Sequence, residues 1–135
     1  MNIVIDTNVL FSALIKDSYT RKIILEYEFY LLFPEYIFVE FKRYKKEVIK
    51  KSGLSLEEFD TLFNLLLKNV IIVPNSRINL FKKEAVEIAK GIDLDDAVFF
   101  ATALAFNAVI WSDDKDLKKQ DKVKVYNSFE IGDFL

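Results

Sequence analysis

The chain has 135 residues, which suits one domain with a real core, and 52% apolar residues with 13 Phe supply the material for it. Lys and Arg number 19 against 21 Asp and Glu; the net charge of -2 excludes a protein that coats nucleic acid by bulk positive charge. With no Cys and no His, the chain has no disulfide framework and no thiol chemistry, and it lacks the commonest general base and transition-metal ligand.

The opening stretch MNIVIDTNVLFSALIK has no basic n-region and no small-residue cleavage site, so it is expected to be mature structure. Ile3-Val4-Ile5 predicts a short strand, followed by helices over about Asn8 to Ile15 and Thr20 to Glu28. Tyr30 to Phe33 predicts a second strand ended by Pro34, and Glu35 to Lys51 a long helix stopped at Ser52-Gly53. Ser55 and Glu58 form a capping box for a helix reaching about Asn69. Val70 to Val73 predicts strand three, closed by Pro74, and Leu80 to Lys90 a helix ending at Gly91. Asp93 is the candidate N-cap of a helix over 94–106, whose apolar run is too short to span a bilayer; a cytoplasmic protein with no membrane partner is expected. Ala108 to Trp111 and Val123 to Tyr126 predict strands four and five, and 127–135 a short helix. Apolar strands alternating with helices predict a three-layer α/β/α domain, 1–135, around a central parallel five-stranded sheet.

Carboxylates fall at particular points of this plan. Asp6 follows strand one, and Asp113 and Asp114 follow strand four, so all three lie at one edge of a parallel sheet. If strands one and four are neighbours, they meet at the switch point, where ligands bind. Asp95 and Asp96 lie in a first helical turn, where the dipole favours negative charge. Glu40 lies on the apolar stripe marked by Ile37, Phe41, Tyr44 and Val48, and an inward carboxylate needs a partner. Each acid has an ordinary reading as a cap, a loop residue or half of an ion pair, but four separate segments would each have to place one at the same mouth. Two like charges ~4 Å apart cost about 4 kcal/mol at an effective dielectric near 20, so such a cluster raises its pKa values or recruits cations. Oxygen ligands alone, without His or Cys, select a hard divalent ion, Mg²⁺ or Mn²⁺.

IVIDTNVLFSAL near the start, Glu40, and DLDDAVFFATALAFNAVIWSDDKDL near the end together resemble a PIN domain over essentially the whole chain. The resemblance implies a divalent-metal site made by Asp6, Glu40, Asp96 and Asp114, with Asp116 as rival to Asp114. It implies support from Asn8 and Ser112, with Asp93 and Asp95 at the rim. It further implies a metal-dependent ribonuclease, the toxin half of a VapC-like toxin–antitoxin pair, with RNA as substrate, a homodimer and an inhibitory antitoxin peptide. In that reading bound metal activates water for attack on an RNA phosphodiester. Lys42, Arg43, Lys115 and Lys118 are candidates for phosphate contact, and Tyr36 or Tyr44 for stacking on bases of a single strand. The alternative is an inactive PIN-like module that binds protein or RNA. A phosphorelay receiver fits poorly, since IIVPNS after strand three has no acid, and DTN lacks the second Asp of a haloacid-dehalogenase phosphatase.

Overall fold

Five short strands, β1 (Asn2–Ile5), β2 (Tyr30–Pro34), β3 (Val70–Val73), β4 (Val109–Trp111) and β5 (Val125–Tyr126), form one sheet in the order β3-β2-β1-β4-β5. These come from a computed structural model that describes residues 1–16, 19–26, 28 and 30–134. Every pairing is parallel. From the central β1 the chain winds outward to β2 and β3, then crosses back to β4 and β5, so the switch point lies between β1 and β4. The pairing of Ile5 with Trp111 levels the ends of β1 and β4, and the Asp6 N–H then donates to the Trp111 carbonyl at 3.0 Å.

The alternation of strand side chains divides the core. Ile3, Ile5, Leu31, Phe33 and Trp111 face one layer, with α1 (Thr7–Ile15), α2 (Tyr19–Glu26), α3 (Ile37–Ser52) and α4 (Leu56–Leu67). Val4, Leu32 and Ile110 face the other, with α5 (Lys82–Ala89) and α6 (Ala97–Phe106). Burying each of these large side chains contributes about 1.5–3 kcal/mol, which is why both faces must be covered. The predicted three-layer α/β/α architecture is therefore present. β3 is an edge strand, and Ile71 and Ile72 stay exposed on it.

Helix α3 carries the predicted stripe through Ile37, Phe41 and Val48; Phe41 stacks on Phe63 at 4.2 Å between ring centroids and on Phe59 at 6.0 Å. Tyr44 departs from that stripe. It is 42% exposed and meets Phe11 edge-on at the rim of α1. Gly53 ends α3 with φ 69°, a left-handed conformation that costs glycine little. The capping box of Ser55 and Glu58 starts α4 as expected.

Several boundaries differ from the sequence reading. The stretch read as one helix over 94–106 is a 3₁₀ turn, Leu94–Asp96, followed by α6, and a second 3₁₀ turn, Asn79–Phe81, precedes α5. Strand five is two residues long rather than four. The Gln120 side chain accepts from the N–H groups of Lys122 and Val123 and donates to the Val123 carbonyl, which removes those groups from the sheet ladder. Helix α2 ends at Glu26 and Glu28 is not helical; Tyr27, between them, lies outside the described residues. The tail forms α7 (Ser128–Gly132), and Leu135 lies outside the described residues. Among the described residues no helix is long and apolar enough to cross a membrane.

Candidate functional site

Asp6 ends β1 and is 5% exposed, a costly place for a carboxylate. Its carbonyl accepts from Val9 and Leu10 as α1 begins, while its side chain makes no capping hydrogen bond. Instead the buried Ser112 hydroxyl, just beyond β4, donates to Asp6 Oδ2 at 2.7 Å. The same hydroxyl accepts from the Asp114 N–H at 3.1 Å. Burial raises the Asp6 pKa; the Ser112 hydrogen bond and the nearby Asn8 and Thr7 amides oppose that rise, and the charge of Asp114 adds to it.

Glu40 lies in the first turn of α3, half-buried. The hydroxyl of buried Thr7 donates to Glu40 Oε1 at 2.8 Å, so the α1–α3 packing places Glu40 beside the end of β1. Burial raises the Glu40 pKa and the Thr7 bond lowers it; the charges of Asp6 and Asp95 raise it and that of Arg43 lowers it.

Asp96 closes the 3₁₀ turn before α6, and its side chain makes no capping hydrogen bond. Its pKa is raised to about 7, first by burial and then by the charges of Asp6, Asp93, Asp114 and Glu40. Asp93 accepts from the Asp95 N–H at 3.0 Å, as the sequence reading of a cap requires. Asp114 likewise accepts from the Asp116 N–H at 3.0 Å. Asp116 pairs with Lys119 at 2.9 Å, whereas the charge of Asp114 acts on both Asp6 and Asp96. Asp113 is drawn away: it accepts from the N–H and hydroxyl of Ser128 at 2.7 Å each.

Asp6, Glu40, Asp96 and Asp114 thus reach one end of the sheet from four segments and act on one another's charge. Among the described residues no three carboxylates stand close enough to a common point to hold an ion between them as placed. Asp6 is tied to Ser112 and Glu40 to Thr7. The donor set itself, all oxygen, with the pKa values of Asp6, Glu40 and Asp96 raised, fits a hard divalent cation.

Asn8 is exposed and lines a shallow depression with Glu40 and Tyr44. Lys42 and Arg43 are exposed on α3; Arg43 acts on Glu40. Lys115 and Lys118 line a cleft with Asp114, and Lys118 forms an ion pair with Glu130. Tyr36 lines a groove of about 500 Å³ that also reaches Asp95. Sequence reasoning missed Thr7. It stands inside DTN, but nothing in its spacing marks a partner in another helix.

A family model described as PIN domain matches residues 4–126. A search of the curated proteins finds no match. Among solved structures, one described as VapBC2 from Rickettsia felis bound to a DNA fragment from their promoter is similar, with a TM-score of 0.71 and 17% identity. The match covers 94% of this chain and 98% of that one.

Proposed function

The chain belongs to the PIN domain family, whose members are generally nucleases using divalent metal, and from that premise we propose that it is a metal-dependent ribonuclease cutting single-stranded RNA. The observation that carries the reading is Asp96: a half-buried acid with no side-chain capping bond, raised to about 7 first by burial and then by charges that include acids from three other segments. Asp6, Glu40, Asp96 and Asp114 would hold Mg²⁺ or Mn²⁺. When bound, the cation supplies water activation and charge neutralisation at a phosphodiester. The chain's own residues do the rest. Ser112 and Thr7 fix Asp6 and Glu40, and Lys42, Arg43 and Lys115 offer positive charge to phosphates at the mouth.

The likeness to VapBC2 supports a further reading, that this chain is the toxin of a toxin–antitoxin pair, acting as a homodimer and silenced by an antitoxin peptide. The test is incubation of the full chain with a labelled single-stranded RNA in Mg²⁺, in Mn²⁺ and in EDTA. Cleavage is expected in either metal and not in EDTA, and Asp96→Asn is expected to lose it. Cleavage that persists in EDTA or in that variant removes the proposal.

A second reading is favoured by the spread of the carboxylates, which leaves no preformed three-acid cage among the described residues. It is an inactive PIN-like module that binds RNA or protein. Calorimetric titration with Mn²⁺ separates the two: the inactive module shows no binding that depends on Asp6, Asp96 and Asp114.

A further inference from the structure

Beside the acid mouth lies the groove of about 500 Å³, and its lining is mixed in a particular way. Its lining is apolar at Ile78, just before the 3₁₀ turn Asn79–Phe81, at Val86 of α5 and at Val98 of α6. With them stand Tyr36, the Asn75 and Asn79 amides and the Lys82 ammonium. Among the described residues no side-chain hydrogen bond or ion pair engages any of these four groups. The groove is continuous with the candidate site through Asp95, the neighbour of Asp96, and through Tyr36, which precedes the helix that carries Glu40. The Glu35 carboxylate accepts from the Asn75 N–H and so fastens one wall to the start of α3.

An aromatic ring, an apolar lining and unengaged amides are what a splayed-out base requires: a face to stack on and donors and acceptors for its edge. A cationic side chain beside them suits the backbone phosphate. We propose that this groove receives a base of single-stranded RNA next to the phosphate at the acid mouth, with Tyr36 against its face, Asn75 and Asn79 at its edge and Lys82 on the adjoining phosphate. The inference rests on the ribonuclease reading. Single strand is favoured over a protein occupant because the unengaged groups combine base-edge and phosphate chemistry in one place.

The test uses the full chain with a fluorescent single-stranded RNA carrying 4-thiouridine, in Ca²⁺, followed by irradiation and peptide mapping. Crosslinks are expected on Tyr36 or within residues 75–82. The Asn75→Ala/Asn79→Ala pair is expected to weaken RNA binding fivefold or more. Lys82→Gln should give a smaller loss that shrinks with added salt. These positions, apart from half-buried Tyr36, are exposed, so the variants fold, as melting curves will check. Crosslinks that map elsewhere, unchanged affinity in the double variant, or a groove protected by a second copy of the chain or by another protein would each overturn the base site. A protein that crosslinks in the groove yet cleaves nothing in Mg²⁺ or Mn²⁺ keeps the base site and loses the ribonuclease reading. One that cleaves without a groove crosslink loses the base site alone.

Discussion

Thr7, the residue directly after Asp6, donates its hydroxyl to Glu40 Oε1 at 2.8 Å and so ties two helices to one corner of the acid mouth. The hydroxyl is buried, and Thr7→Val removes it while nearly conserving the shape of the side chain. Thr7→Val is expected to weaken Mn²⁺ binding about tenfold, as loss of a group that orients a ligand does. Thr7→Ser keeps the hydroxyl and is expected to restore it. Calorimetric titration of both variants checks this; a Thr7→Val protein that binds Mn²⁺ as tightly as the unaltered chain would refute the role.

Asp96 makes stability depend on pH without metal. Its folded pKa of about 7 lies above the ordinary 3.8, so between those values the folded chain binds the extra proton. Stability is full below pH 3.8 as far as this group is concerned, falls as pH rises, and is lost through pH 7. Asp96→Asn is therefore expected to melt higher at pH 8, by about 1 kcal/mol or roughly 3 °C after discounting for solvent screening of a half-buried group. The same variant is expected to lose the stabilisation that Mn²⁺ gives the unaltered chain. Melting curves at pH 5 and pH 8, with and without Mn²⁺, read both effects.

Ser112 is the densest joint of the site. Its buried hydroxyl both donates to Asp6 and accepts from the Asp114 amide. Ser112→Ala leaves a buried carboxylate and an amide each short of a partner, at a cost of about 1–3 kcal/mol. Urea denaturation is expected to show the loss, together with weaker Mn²⁺ binding. Unchanged stability would mean that water replaces the hydroxyl without cost.

Asp113 stands beside Asp114 but serves the fold. It holds Ser128, whose hydroxyl also accepts from Trp111 Nε1 at 2.9 Å, and so fastens α7 to β4. Asp113→Ala is expected to lower hydrogen-exchange protection over residues 128–134 while leaving RNA cleavage within about twofold, against the abolition expected for Asp96→Asn. Loss of cleavage in Asp113→Ala with α7 still protected would place Asp113 in the site.

The sheet was legible because its strands are short apolar runs bounded by Pro, Gly and helical patterns, and parallel strands buried on both faces must read that way. The mouth was legible for the same reason: Asp6 and Asp114 follow strands, and topology alone takes them to one edge. What stayed hidden was set by side chains acting on distant backbone. Gln120 shortens β5 by taking the N–H and carbonyl of Val123, which the Val-Lys-Val alternation assigns to the ladder. Tyr44 fits the period of α3 but lies at the edge of the α1 contact, where periodicity cannot say how wide the covered stripe is. The pairing of Asp116 with Lys119 needed three dimensions, because Lys115 and Lys118 flank the same acid in the sequence. The bond from Thr7 to Glu40 needed them too, since it joins positions 33 apart in different helices.

The central strand is the first made and its neighbour β4 among the last: β1 begins at Asn2, and β4 does not start until Val109. During synthesis, then, the growing polypeptide carries Asp6 and Glu40 for most of its length with no Ser112 or Asp114 to complete the set. The acid corner comes into being only once residues 112–114 have followed, so products truncated before them would carry Asp6 and Glu40 but not the mouth.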